Sequence, residues 1–387
     1  MPIPLHQKLL RAAGLSGTPG LVPTRLAELA TQLQRGLGLP ARPGETPPAP
    51  PASPILGTQA ILVRGANLLE RVQTLTVGRP AADSKTASSP MLARTFSADA
   101  DSRSYRLFVP NKLPPSPSLI VMLHGCSQSP EDFAAGTRMN DLAGPHGFLV
   151  LYPEQTSSAN LQRCWNWFNP ADQQRDQGEP SLIAGMTRAV IAEFGVDPAR
   201  VFVAGLSAGG AEAAILGATY PELYTAIGIH SGLACGAAHD MASAFAAMRQ
   251  GKPGNGTISR PAIIFHGDRD STVNLANANA LAAQLGNADD AHTEHGEIPG
   301  GLAYTRLVRP AYANHPQMEQ WTIHGAGHAW SGGSSAGSFT DPKGPDASAE
   351  MLRFFLAAAG AQAGSKKGQG ALPPGPPPGR AALDLRF

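Results

Sequence analysis

The chain has 387 residues, 42% of them hydrophobic and 15% charged. That composition suits a sizeable core in one large or two medium domains, at roughly 150 residues per domain. Its 30 Lys and Arg nearly cancel its 29 Asp and Glu, leaving a formal charge of +1, so a general electrostatic grip on nucleic acid is not expected.

Residues 1–20 lack the apolar run of a secretory leader, which by itself points to the cytoplasm. No run of about eighteen apolar residues occurs anywhere, so no transmembrane segment is expected. Leu26, Leu29, Leu33 and Leu37 stand at helical spacing, and Thr24 can cap a helix over Thr24–Leu37. Such a helix either lies on the main domain or docks an apolar partner surface. Residues 39–54 are too rich in proline for helix or sheet and form a linker, and residues 55–92 show no clear pattern. Residues 1–93 are therefore read as an N-terminal extension.

From Arg94 the texture changes. Short apolar runs at Tyr105–Val109, Leu119–Leu123, Phe148–Tyr152, Val201–Ala204, Ala226–Ile229, Ala262–Phe265 and Glu319–Ile323 read as strands. Helical segments fall between them at Ser181–Phe194, Ala208–Ala218, Ala276–Leu285 and Asp346–Ala359. The fold class is α/β, with a mostly parallel central sheet and helices on both faces, over residues 94–360. Residues 361–387 are Pro/Gly-rich and are expected to be a disordered tail. In a parallel sheet of this kind ligands bind beyond the carboxyl ends of the strands, so chemistry belongs in the loops that follow them.

The strongest signal is Gly205-Leu206-Ser207-Ala208-Gly209, between a buried strand and an alanine-rich helix. That context makes a G-x-S-x-G match a nucleophile elbow: the serine sits on a strained turn, and its glycine neighbours avoid clashes. A serine hydroxyl needs a base, and the base needs an orienting acid. After Ser207, the segment His266 to Val273 offers Asp268 and Asp270 just past a strand. The pattern H-G-x-x-D-x-x-V favours Asp270, with Asp268 as a loop-closing acceptor. His328, flanked by the small residues Gly327 and Ala329, is the expected base. His324, flush with the end of a strand, suits a structural role. His230 and His266 also sit at strand ends and suit satisfied core positions. His292, Glu294 and His295 are not spaced as a metal motif and read as part of an exposed loop, so no metal is expected.

A developing oxyanion needs donors. The N–H of Ala208 directly follows the nucleophile, and the loop Leu123 to Gln128 supplies a second donor at Cys126. The three cysteines allow one bridge at most. Cys126–Cys164 would tie the loop Cys164 to Phe168 to the oxyanion loop, but spacing leaves the pairing open. Trp165, Trp167 and Trp330 are read either as substrate-binding walls or as core packing.

Taken together, Leu123 to Cys126, Cys164 to Phe168, Gly205 to Gly210, His266 to Val273 and Gly327 to Gly333 resemble the polyhydroxybutyrate-depolymerase family of α/β-hydrolase esterases, in that family's order. The resemblance implies an α/β-hydrolase fold and an exported serine esterase with no cofactor. Its implied substrates are poly(3-hydroxyalkanoate), oligomers of it, or similar esters. It implies Ser207, Asp270 and His328 as a triad, Cys126 as oxyanion donor, and kinship with feruloyl and acetylxylan esterases. The rival from another class is a non-catalytic granule- or partner-binding protein. Oligomeric state is not legible.

Overall fold

A computed structural model describes residues 91–98, 101–286, 291–311 and 315–368 of the chain. The leucine-striped segment Thr24–Leu37, the proline-rich stretch 39–54 and the tail beyond 368 lie outside the described residues.

The centre of the fold follows from strands that are apolar on both faces. In β3 (Ser118–Leu123) every residue is buried. Successive side chains leave opposite sides, so Leu119, Val121 and Leu123 enter one core while Ile120 and Met122 enter the other. Such a strand needs cover on both faces. The remaining elements supply it. Ahead of β3 come β1 (Leu92–Ala98) and β2 (Asp101–Phe108). Then follow α1 (Pro130–Thr137), α2 (Met139–His146), β4 (Phe148–Pro153), α3 (Gly178–Phe194), β5 (Val201–Leu206) and α4 (Ala208–Thr219). Next are β6 (Ala226–His230), α5 (Met241–Gln250), β7 (Ala262–Gly267) and α6 (Ala276–Gln284). The chain continues with β8 (His292–Glu297), β9 (Ala303–Arg309), β10 (Met318–Ile323), the two-residue strands β11 (Trp330–Ser331) and β12 (Thr340–Asp341), and α7 (Ala347–Gly368).

Residues of α3, α4, α5 and α6 line one core, and those of α1, α2 and α7 line the other. On the second side Phe355 of α7 stacks on Phe202 of β5, with ring centroids 4.8 Å apart. A fully buried aromatic of this kind contributes about 1.5–3 kcal/mol relative to exposure.

The ten-stranded sheet has the order β1-β2-β4-β3-β5-β6-β7-β10-β9-β8. β4, β3, β5, β6, β7 and β10 run parallel, and the flanking strands join antiparallel. This is the α/β-hydrolase fold. The chain winds from β3 outward to β4, then returns past β3 to β5. That reversal leaves the loops after β3 and β5 side by side at the carboxyl edge, where a ligand crevice forms.

Three boundaries differ from the sequence reading. Residues 292–297 form the edge strand β8, not an exposed loop, and pair with β9 across the register His295↔Thr305. β8 is exposed along nearly its whole length, so it carries no apolar alternation to announce it. α7 runs to Gly368, past the expected end at 360. Ala, Gln and Lys in that extension favour helix, and the prolines begin only at 373. The main domain also begins earlier, with β1 at Leu92.

Candidate active site

The residue at the end of β5 carries the first sign of a built site. Ser207 holds φ 57° and ψ −120° at the junction with α4, a conformation that costs on the order of 1–3 kcal/mol for a residue with a side chain. Both glycines of the motif are dictated by contact. A Cβ on Gly205 would lie 2.2 Å from the Gly209 carbonyl oxygen, and one on Gly209 would lie 2.1 Å from the Leu123 carbonyl oxygen. The elbow is therefore pressed against β3, beside the loop that follows it.

That loop is wired with one donor left over. The N–H of Gly125 donates to Gln128 Oε1 at 2.9 Å, that of Ser127 to the Gln162 carbonyl at 2.6 Å, and that of Gln128 to the Gly125 carbonyl at 3.3 Å. Among the described residues no acceptor bonds the N–H of Cys126 or that of Ala208. Ala208 opens α4, whose N-terminus favours negative charge. Cys126 is bridged to Cys164, which settles the pairing the sequence left open, and Cys235 is free and buried. Burial pushes the Cys235 thiol up to about 11, which keeps it protonated and inert.

Asp270 and His328 meet directly. Asp270 lies beyond β7 and His328 beyond β10, and these strands are parallel neighbours. His328 Nδ1 donates to Asp270 Oδ2 at 2.7 Å. The other carboxylate oxygen accepts the N–H groups of Thr272 at 2.9 Å and Val273 at 2.8 Å. Burial raises the Asp270 pKa, but the His328 hydrogen bond and charge and the Val273 N–H outweigh it, and the carboxyl ends below its ordinary value. With Nδ1 donating, His328 Nε2 is left as the basic nitrogen. Among the described residues the Ser207 side chain makes no hydrogen bond. Its N–H donates to the His230 carbonyl at 2.9 Å, on the strand between β5 and β7.

The competing residues fall elsewhere. Asp268 pairs with His324 at 3.0 Å, outside the Asp270–His328 contact. His230 is buried, and its Nε2 accepts the Ser331 N–H at 3.0 Å. His266 Nε2 lies 2.7 Å from the Val273 carbonyl oxygen, so the buried ring braces the turn that holds Asp270. His292 and Glu294 pair on exposed β8, where Glu294 also binds Arg306 at 2.8 Å. His295 contacts Thr305 at 3.1 Å.

The three tryptophans are not walls. Trp165, Trp167 and Trp330 are 1%, 6% and 1% exposed. Trp165 donates its indole N–H to the His124 carbonyl at 3.1 Å, beneath the loop after β3. Trp167 packs edge-on to Phe168. Trp330 lies against His230 and Phe133 and donates to Ser348 Oγ at 3.1 Å. Each ring has an interior to fill that the sequence did not reveal. The apolar side chains that do face solvent here are Leu161, 85% exposed, and Phe339, 46% exposed. Leu161 precedes Gln162, which binds Ser127, and Phe339 follows Ser338, which binds Gln128.

Two supports escaped the sequence reading. Gln128 reaches from Gly125 to Asp132 and Ser338, fixing the loop after β3. Glu179 is buried and accepts hydrogen bonds from Gln155 and from both the backbone and the side chain of Asn166, holding the loop that carries Cys164. The Ser338 partner of Gln128 and the Gln155 partner of Glu179 are distant in the chain, so neither side chain's role shows in its local sequence.

Residues 103–293 match the family described as Esterase PHB depolymerase. A poly(3-hydroxyalkanoate) depolymerase C from Paucimonas lemoignei is 34% identical over 237 residues, covering 57% of this chain and 56% of that protein. A feruloyl esterase B from Neurospora crassa is 38% identical over 128 residues, covering 33% and 43%. The chain thus spans about half the length of the curated relatives it matches. Among solved structures, an acetyl xylan esterase from Aspergillus awamori aligns at 22% identity with a TM-score of 0.49, covering 58% of this chain and 89% of that one.

Proposed function

We propose that this chain, whose residues 103–293 belong to the esterase PHB depolymerase family, is a serine esterase that cleaves poly(3-hydroxyalkanoate) or its oligomers through an acyl-enzyme. The observation that carries the reading is the 2.7 Å bond from His328 to Asp270 at the same sheet edge as the strained Ser207.

In this mechanism the Ser207 hydroxyl meets His328 Nε2 as substrate enters, since hydrogen bonds of this kind often tighten only in the complex. Ser207 Oγ attacks the ester carbonyl and its proton passes to Nε2. The carbonyl oxygen becomes an oxyanion held by the N–H groups of Ala208 and Cys126. The intermediate collapses, the C–O bond to the alcohol breaks, and the imidazolium protonates the leaving oxygen. Water then repeats the sequence on the acyl-enzyme and frees the acid. Asp270 keeps Nδ1 protonated and stabilises the imidazolium. No cofactor enters this scheme. The solvent-facing Leu161 and Phe339 beside the oxyanion loop suit an apolar polyester chain better than a sugar ester.

The test is covalent labelling by a fluorophosphonate, with hydrolysis rates on hydroxybutyrate oligomers, aryl esters and feruloyl or acetyl sugars. Wild type labels at one site and Ser207→Ala does not, with kcat lowered at least about 10³-fold. Labelling that survives Ser207→Ala defeats the mechanism. A preference for sugar esters over oligomers defeats the substrate assignment alone. A wild type with neither labelling nor turnover would leave the non-catalytic reading.

A further inference from the structure

The span that carries His328 is weak by sequence. Only Gly325, Ala326 and Gly327 separate it from His324 at the end of β10. Two glycines in three residues give this backbone more freedom than residues with side chains would. Yet His328 must hold its bond to Asp270, and a displacement of about 1 Å is enough to break such a contact and lower turnover as much as a hundredfold.

The facing loop supplies what the glycines lack. Asp268 Oδ1 accepts the Gly325 N–H at 2.7 Å, and its Oδ2 accepts from His324 Nδ1 at 3.0 Å. The backbone continues the seam, with Asp268 N–H donating to the Ile323 carbonyl at 3.1 Å and Arg269 N–H to the Ala326 carbonyl at 2.9 Å. A Cβ on Gly267 would lie 2.3 Å from the Ala326 carbonyl oxygen, which shows how closely the two loops approach. On the far side His324 Nε2 accepts from Thr305 Oγ1 at 2.8 Å, and that hydroxyl in turn contacts His295 Nδ1 at 3.1 Å. His324 is thus held at both nitrogens, by the catalytic loop and by the edge strands.

We propose that Asp268 is a positioning residue that pins the His328 loop to the Asp270 loop, with His324 as its buttress. This rests on the esterase reading given above. Carboxylate, imidazole and hydroxyl do line up in Asp268, His324 and Thr305, but Thr305 is no second nucleophile. It lies within β9, its backbone paired to β8 and β10, with no free N–H pair to hold an oxyanion. The proposal also accounts for two carboxylates two residues apart with different tasks: Asp270 holds the base, and Asp268 holds the loop the base rides on.

The experiment compares Asp268→Ala, Asp268→Asn and Thr305→Val on a soluble aryl ester, with active sites counted by fluorophosphonate titration. The low-field imidazole proton between His328 and Asp270 is followed by NMR. Asp268→Ala lowers kcat per titrated site about ten- to a hundredfold with KM within about twofold, and broadens the low-field proton. Asp268→Asn keeps one acceptor oxygen for Gly325 and loses several-fold. Thr305→Val stays within about twofold. An Asp268→Ala protein with wild-type kcat and an unbroadened proton overturns the proposal, as does a loss carried wholly by KM. If circular dichroism shows Asp268→Ala unfolded, Asp268→Asn decides, and wild-type kcat in that variant overturns it. Failure of the esterase reading is separate, because it shows as an inactive, unlabelled wild type, and the NMR readout does not depend on turnover.

Discussion

Glu212 stands on α4, five residues after Ser207, with no exposed surface. Neither carboxyl oxygen has a hydrogen-bond partner among the described residues. Burial, and then the charges of Glu179 and Asp172, push its pKa well above the ordinary carboxylate value, so folding favours its protonated form. The sign follows from linkage. A group whose pKa is raised on folding contributes stability below its unfolded pKa, and that contribution is lost as pH rises. Glu212→Met removes a buried polar group with no partner and should stabilise the protein by about 1–3 kcal/mol. The gain should widen as pH climbs above about 4.5. Thermal unfolding between pH 5 and 9 checks this, and a Met variant less stable than wild type across that range refutes it.

At the scale of elements, the bridge joins the loop after β3 to the loop after β4. Cys126 and Cys164 lie 38 residues apart, a separation for which a bridge contributes about 2–4 kcal/mol. It also tethers the loop proposed to donate to the oxyanion to the loop that carries Trp165. Replacing both cysteines by alanine leaves the N–H of residue 126 in place but frees its backbone. The expected result is a lower melting temperature and a kcat reduced about tenfold, with KM changed less. A double variant as active per titrated site as wild type would show that the hydrogen bonds of Gln128, Ser127 and Trp165 fix the loop without the bridge. The element scale is also where reading the sequence faltered. β3 and β5 announced themselves because they carry unbroken apolar runs, whereas β8 is solvent-facing on both sides and depends on its partner strand for its conformation.

For the whole molecule the interior histidines set the response to acid. Burial lowers the pKa of His124 to about 4 and that of His230 to about 3. Both rings are tied to backbone N–H groups, of Gln155 and Ser331 respectively. An unfolded chain protonates them near pH 6.5 while the folded chain does not. The unfolded state therefore binds more protons over this window, and stability declines as pH falls from about 6.5 toward 3. Asp270 adds to the decline at the acid end, because its depressed pKa contributes stability above its unfolded value that is lost on protonation. Urea unfolding from pH 7 to 4 should show the slope, and His124→Gln with His230→Gln should flatten it. A slope untouched by both changes would place the acid sensitivity elsewhere.

The sequence by itself determined the alternation of buried strands and helices and the strained turn at Ser207, and it singled out Asp270 and His328, which the structure brings into hydrogen-bond contact. Those features rest on local rules: side-chain periodicity, glycines flanking a serine between strand and helix, and small residues beside a base. Tertiary structure alone decided the Cys126–Cys164 pairing, the burial of Trp165, Trp167 and Trp330, and the hydrogen-bond partners of Gln128 and Glu179. Each of these depends on which distant segment lies opposite, and a residue's partners across the fold leave no mark on its neighbours in the chain.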